Sequence, residues 1–203
     1  MTYGQMRDRV LMLLNQDSIA GGRIKVTYNN QADYLARVPG AVNDALLYLA
    51  TTARRLRCMA ALGRGEETAG WSVYALPEDC WQVCAGGVFR FGCGTMERCA
   101  SFRLLGERQV AIPGQAEDWQ VEYFRYPVLL KPEPEETASV DCPPEALAAC
   151  ACYAAAQLAG HDDAYLQAVL QNEFENRLSR LGELPSAARE CVDNAYGGWE
   201  DTV

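Results

Sequence analysis

The sequence contains only one histidine, His161. Because histidine is the commonest metal ligand and a frequent general base, this scarcity argues against most metal centres and acid–base schemes. The sequence also lacks a Gly-x-Ser-x-Gly motif and a P-loop, and Gly86-Gly87 is not followed by the helical pattern that a phosphate cradle needs. We therefore expect no enzyme: no catalytic residues, no cofactor and no metal.

Long apolar runs are also missing. No run reaches the roughly 18 residues that a membrane-spanning helix needs. Arg7, Asp8 and Arg9 stand where a signal peptide has its apolar segment. We expect a protein that is made in and stays in the cytosol, with no membrane partner.

Cysteine is present in an odd number, nine, which does not suit a secreted disulfide framework. We therefore expect reduced thiols. The best metal candidates are Cys80, Cys84, Cys93 and Cys99, with three, eight and five residues between them. Structural zinc sites usually space paired cysteines by two to four residues, roughly, and only the first pair fits. Zinc is the weaker interpretation, and elemental analysis would test it.

The net charge of −9 is unevenly distributed. Residues 1–65 carry nine basic and four acidic side chains, a balance of +5; residues 66–130 carry five and nine, or −4; residues 131–203 carry four and fourteen, or −10. An acidic chain is a poor general binder of nucleic acid. A basic end and an acidic end favour head-to-tail contact between copies, although a solvated acidic C-terminus explains the pattern equally well.

Four helices are predicted by apolar spacing and capping residues, at about 2–16, 29–58, 143–159 and 162–181. Thr2 and Gln5 form a capping-box pattern for the first helix. Pro39 suits the first turn of the later part of the second. The trio at 161–163, His-Asp-Asp, could hold a metal, but it lies where a helix cap is required, and capping is the better interpretation.

Three arginines, Arg54, Arg55 and Arg57, fall in the last turns predicted for the second helix. They either complement the helix dipole or form a basic patch that faces a partner or DNA. The third helix is rich in small residues, nine of them between 146 and 156. We expect a close-packed contact helix there, with Ala149 and Ala155 at a subunit interface.

Between about 71 and 126 the apolar period changes to that of short strands separated by glycines, which predicts an antiparallel meander. The stretches between breaks are short, so we expect an insert without a second large core. The predicted fold class is α+β, mainly α: a helical bundle with an inserted antiparallel β-rich region, one domain over 1–182, and an extended C-terminal tail at 183–203. Tyr196 and Trp199 in the tail are candidate interface anchors.

The order of these elements carries a resemblance. An amphipathic first helix is followed by 28–50 (YNNQADYLARVPGAVNDALLYLA), by 119–126 (WQVEYFRY), by 141–146 (DCPPEA), by an Ala-rich helix that ends in HDD at 161–163, and by 172–178 (NEFENRL). The ordered set resembles the head-to-tail connector proteins of tailed bacteriophages and prophages, also called adaptors or head-completion proteins.

The resemblance implies a structural subunit of the phage neck. Such subunits form a ring, commonly dodecameric, that binds the portal protein of the head and the tail or tail-completion proteins, in the neck of the virion. DNA passes through the lumen without sequence-specific binding, and the family gives no catalytic residues. The alternative is a non-enzymatic helical assembly factor, or a regulatory binding module, that acts only during assembly.

Overall fold

The structure is a computed structural model that describes residues 1–14, 29–63, 66–68, 70–92, 95–114, 118–160 and 163–183. In the described part of the chain there are four α-helices: α1 (Tyr3–Leu13), α2 (Asn29–Thr52), α3 (Leu147–Ala159) and α4 (Ala164–Glu183). There are eight strands: β1 (Leu56–Ala61), β2 (Glu66–Thr68), β3 (Trp71–Ala75), β4 (Cys80–Gly92), β5 (Thr95–Arg98), β6 (Arg103–Leu105), β7 (Gln109–Pro113) and β8 (Gln120–Arg125).

The first helix begins as the sequence predicts. The backbone N–H of Gln5 donates to the Thr2 hydroxyl, and the Gln5 side chain accepts from the Thr2 backbone, so the capping box is complete. The residues just before and inside α1 also pair with the segment that precedes α3. Tyr3 N–H donates to Ala138 C=O at 2.7 Å, and Val140 N–H donates to Met1 C=O at 3.1 Å. The N-terminus is therefore fixed to the helical layer.

The second helix differs from its prediction at two points. It continues through Pro39, which lies inside it and not at the start of a separate piece. It also ends at Thr52, six residues before the predicted end at 58, because the chain turns at Ala53-Arg54 and enters β1. Arg57 is consequently a strand residue.

The small-residue helix α3 lies at the centre of the helical layer. A short 3-10 turn, Pro144–Ala146, leads into it, and α1, α2 and α4 all pack against it. Nine of its thirteen residues are buried, which is more than one helix face can hold, so several neighbours must cover it. Small side chains make this possible because they allow each neighbouring helix to approach closely.

The strands form two four-stranded antiparallel sheets, with the orders β1-β8-β4-β5 and β2-β3-β7-β6. Antiparallel pairing was predicted, but three neighbouring pairs, β1-β8, β8-β4 and β3-β7, are not consecutive along the chain, so the sheets are not a simple meander. Their inner faces share a second core of eight buried residues: Leu62, Tyr74, Leu76, Val88, Val110, Ile112, Val121 and Tyr123. Two sheets that bury one common core form a small β-sandwich.

The predicted fold class, a mainly α helical bundle, is wrong. Helices account for 43% and strands for 30% of the described residues, and the strand region has its own core beside that of the helices. The sequence pattern underestimated the strands because several are short and outward-facing, so each shows little alternation. The fold is a mixed α/β arrangement of one helical layer and one sandwich. The predicted extended tail, 183–203, lies outside the described residues apart from Glu183, the last residue of α4.

No helix in the described part of the chain is long and apolar enough to cross a membrane.

Candidate functional site

A cleft lies where the helical layer meets the sandwich. Its volume is about 1070 Å³. Three parts of the chain line it: the end of α2 with the turn that follows, the strands β1 and β8, and the turn that precedes α3. The lining residues are Thr52, Ala53, Arg54, Arg55, Leu56, Arg57, Cys58, Met59, Glu122, Phe124, Arg125, Pro143, Pro144 and Glu145. Four of these residues are arginines, so the cleft gathers basic side chains from two separate segments, 54–57 and the end of β8.

The register of β1 and β8 decides which side chains reach the cleft. Arg57 pairs with Phe124 and Met59 pairs with Glu122 across the two strands. Because strand side chains alternate between faces, these four project to the outer face while Val121 and Tyr123 enter the sandwich core. A slip of one residue would exchange the two sets.

Three of the four arginines are compensated by carboxylates of the chain itself. Arg54 contacts Glu145 at 2.6 Å, Arg57 contacts Glu122 at 2.5 Å, and Arg125 contacts Asp141 through both terminal nitrogens at 2.6 and 2.9 Å. Each pair joins different elements, and Arg54–Glu145 connects the end of α2 to the turn before α3. These contacts hold the walls of the cleft together.

The fourth arginine, Arg55, is held by aromatic rings instead. Its guanidinium carbon lies 5.3 Å from the centre of the Trp81 ring and 5.2 Å from that of Phe124. The two rings belong to β4 and β8 and lie 6.5 Å apart, centre to centre. Both distances are within the range of a cation–π contact, so the side chain is fixed while it remains exposed.

The electrostatic environment of the cleft favours ionised carboxylates. The Arg125 guanidinium, bonded to Asp141, lowers the pKa of that carboxyl group, and a bond from Val128 N–H acts in the same direction. The pKa of Glu145 is lowered by a hydrogen bond from its own backbone N–H and then by Arg54. Burial raises the pKa of the nearby Cys84 thiol, so it is held in the protonated form.

The structure brings together only part of the predicted interface set. Arg54, Arg55 and Arg57 meet at the cleft, although they leave the helix on which they were placed. Ala149 and Ala155 are 1% and 0% exposed inside the helical core of their own chain. They are not available to a neighbouring subunit in this fold, because α1, α2 and α4 already cover the helix.

The tail anchors Tyr196 and Trp199 lie outside the described residues, as do His161 and Asp162 of the proposed capping trio. The remaining member, Asp163, caps α4: its Oδ1 accepts from Leu166 N–H at 2.9 Å. This confirms the capping interpretation for Asp163.

The cysteines give no support to a zinc site where they can be placed. Cys80, Cys84 and Cys99 are free thiols, and Cys93 is outside the described residues. Within the described ranges, no group of three or more His, Cys, Asp or Glu side chains is arranged to hold a metal ion.

Sequence reasoning missed the partners of the arginines. Trp81 and Phe124 lie in the region where strands were predicted, and nothing in the sequence indicated that their rings hold an arginine. Asp141 begins the DCPPEA segment, and its carboxylate binds Arg125 and Val128. No local spacing signals these contacts, because each joins residues that are far apart in the chain.

No protein-family model matches this sequence, and no curated protein is significantly similar to it.

Proposed function

We propose that the chain is a non-enzymatic structural subunit of the phage neck. Copies would join in a ring, dodecameric as in the connectors that the sequence resembles, between the portal of the head and the tail, and would extend the DNA channel. The order of sequence elements supports this proposal, and so does the surface of the molecule.

The observation that carries the proposal is a pair of separate exposed apolar surfaces. On α4, Tyr165 and Val169 are 81% and 45% exposed and lie four residues apart, on the same side of the helix. On the β4–β5 hairpin, Phe91 and Met96 are 62% and 45% exposed and are direct cross-strand partners. One surface belongs to the helical layer and the other to the sandwich.

A ring requires two different surfaces that are complementary to each other. A two-fold dimer buries the same patch on both partners, whereas a head-to-tail contact joins unlike patches and closes when the rotation allows it. The two apolar surfaces suit the second case. The charge difference between the first and last thirds of the chain, +5 against −10, would favour the same unlike pairing.

The presence of the chain in purified phage particles is the direct test. We expect mass spectrometry of particles to find it as a virion component, and co-expression with the portal protein to give rings visible by electron microscopy. Tyr165→Glu and Phe91→Glu should each prevent ring formation while the melting temperature of the free chain changes little. Tyr48 is also exposed, at 38%, but Tyr48→Glu is not a suitable control because its ring stacks on that of Tyr153.

The alternative is a binding module that acts only during assembly. The cleft beside α2 favours it, because a concave site with fixed charged groups suits a peptide partner. In that case the chain would be absent from purified particles but would copurify with their precursors. That result would contradict the ring proposal.

A further inference from the structure

Arg55 differs from the other arginines of the cleft in its partners. Arg54, Arg57 and Arg125 each contact a carboxylate, whereas no carboxylate among the described residues pairs with Arg55. Its guanidinium is nevertheless held in place over Trp81 and Phe124. The cleft therefore presents a fixed, exposed cation.

The geometry of Arg55 selects a carboxylate as its ligand. Aromatic rings contact the face of a guanidinium group and leave its N–H donors free at the edge, where a planar carboxylate is bound by two parallel hydrogen bonds. Around it the cleft is lined by apolar groups of Leu56, Met59 and Pro143. The ligand that fits is an acidic peptide that also carries a large aromatic or aliphatic side chain.

The chain itself contains such a segment immediately after α4. Residues 184–203 carry four acidic side chains (Glu190, Asp193, Glu200 and Asp201) against one basic, Arg189, a balance of −3. Trp199 directly precedes Glu200-Asp201, so an aromatic side chain and two carboxylates are adjacent in sequence. The four arginines of the cleft face three carboxylates, Glu122, Glu145 and Asp141, and the remaining balance of +1 resides on Arg55. The two charges are complementary.

The helices bring the start of this segment to the level of the cleft. Tyr48 of α2 and Phe174 of α4 contact each other, with ring centres 5.6 Å apart, and both contact Tyr153 of α3. Arg54 reaches Glu145, so α2 runs antiparallel to α3; α4 does the same, because it returns from α3 through the short turn after Ala159.

From the level of those rings, α2 continues for four residues to Thr52, or about 6 Å, and α4 continues for nine residues to Glu183, or about 14 Å. Both helices run in the same direction, so the end of α4 lies level with the end of α2 or beyond it. The cleft begins at the end of α2. Fifteen residues lie between Glu183 and Trp199, and an extended chain of that length spans up to about 50 Å. The segment is therefore long enough for Trp199 to reach the cleft.

We infer that the cleft around Arg55 is the docking site for the acidic segment 184–203 of the same chain. The Glu200 or Asp201 carboxylate binds the edge of the Arg55 guanidinium, and Trp199 packs on the apolar lining of the cleft. Tethering makes the contact intramolecular, which raises the effective concentration of the segment at the cleft. The inference concerns the free chain and does not depend on ring formation.

Hydrogen–deuterium exchange of the full-length chain tests this. We expect the amides around Trp199 to exchange at least about tenfold more slowly than those of a synthetic peptide of residues 184–203, because docking shields them from solvent. Arg55→Glu should raise their exchange to the rate of the free peptide. High salt should also reduce the protection, since the contact depends on charge and the Debye length falls to about 3 Å at 1 M.

Arg103→Glu is the matched control. Arg103 lies over the Trp71 ring at 5.0 Å, the same kind of contact on the other sheet, so its replacement should leave the segment protected. Glu200→Lys with Asp201→Lys removes the ligand without touching the folded layers, and it should abolish protection even if Arg55→Glu disturbs folding. Protection should not change on dilution.

Three outcomes would overturn the inference. The wild-type segment could exchange as fast as the free peptide. Arg55→Glu and Arg103→Glu could give the same exchange. Protection could disappear on dilution, which would assign the segment to the cleft of a second copy. The presence or absence of the chain in phage particles decides the proposed function independently of all three.

Discussion

At the scale of single residues, the junction between the two layers depends on a few side chains that satisfy backbone groups far away in sequence. Asp141 accepts two bonds from Arg125 and one from Val128 N–H at 2.7 Å. The Asn43 side chain accepts from Leu130 N–H at 2.8 Å and donates to Leu130 C=O at 2.9 Å. Its amide therefore makes the two hydrogen bonds that the backbone of a neighbouring strand would make. Both side chains fix the segment that leads from the sandwich back to α3.

The carboxylate of Asp141 should make stability depend on pH. Its pKa is lower in the folded chain than in the unfolded chain. The stabilisation is therefore present above the unfolded value of about 3.9 and is lost as the pH falls through the lower folded value. Asp141→Asn should lower the free energy of unfolding by about 2 kcal/mol at neutral pH, because it removes charge-assisted hydrogen bonds. Urea unfolding should show this difference shrink below about pH 4.

Glu97→Gln is a suitable control, because Glu97 pairs with Arg90 on the exposed β4–β5 hairpin. An exposed pair contributes little, so this change should cost less than about 1 kcal/mol. Equal effects of the two substitutions would contradict the role given to Asp141.

The side-chain amide of Asn43 should contribute more to the free energy of unfolding than an average surface hydrogen bond. Asn43→Ala leaves both peptide groups of the half-buried Leu130 without this partner, and we expect a loss of about 1–3 kcal/mol in thermal or urea unfolding. Asn172→Ala, at an exposed position on α4, should change stability by less than about 0.5 kcal/mol. A neutral Asn43→Ala variant would show that water replaces the amide.

At the scale of elements, α3 is the helix on which the helical layer is built. Its alanines and cysteines lie under three neighbouring helices, so its small side chains set the distance between them. The burial of Cys150 follows from this position, and its pKa is raised by a hydrogen bond with Cys142 and by burial. We expect this thiol to be unreactive in the folded chain.

Larger side chains on α3 should therefore overpack it. Ala149→Leu or Ala155→Leu inserts atoms where the exposed fraction is 1% or less, and we expect a cost of about 1–3 kcal/mol in thermal unfolding. Gln157→Leu makes a comparable change on the exposed side of the same helix and should be nearly neutral. Unchanged melting for both alanine variants would show that the helical layer can expand.

At the scale of the whole molecule, two cores are joined at one junction. The helical core and the sandwich core are separate clusters, and ion pairs between Arg54 and Glu145 and between Arg125 and Asp141 connect the chain on either side. β1 and β8, the first and last strands of the sandwich, are neighbours, so the chain enters and leaves the sandwich side by side. A sandwich inserted in this way can bury its own core and still depend on the helices for its stability.

We predict that the sandwich does not survive as an independent unit. Its core has eight buried residues, few for a domain that must fold alone, so limited proteolysis should not release residues 56–125 as a stable folded fragment. Unfolding should be a single transition by both circular dichroism and Trp fluorescence. A protease-resistant fragment with native-like strand content would establish two domains instead.

Removal of the C-terminal segment should separate folding from assembly. Truncation after Pro185 leaves both cores intact, so we expect near-normal thermal stability. Ring formation or portal binding should be lost if Tyr196 and Trp199 transfer, on assembly, from the chain's own cleft to a neighbouring subunit or the portal. Sedimentation of the truncated chain with the portal protein provides the measurement. Normal incorporation into particles would show that the segment has no part in assembly.

The sequence by itself determined the local features, because these depend on neighbours within a few residues. It predicted the Thr2–Gln5 capping box, the cap at Asp163, the four helices and the antiparallel strand region. Tertiary structure decided the rest. Where α2 stops, whether Ala155 faces a partner or the chain's own core, and which carboxylate reaches Arg57 all depend on contacts between distant segments. Strand register and layer packing fix those contacts, and no local pattern encodes them.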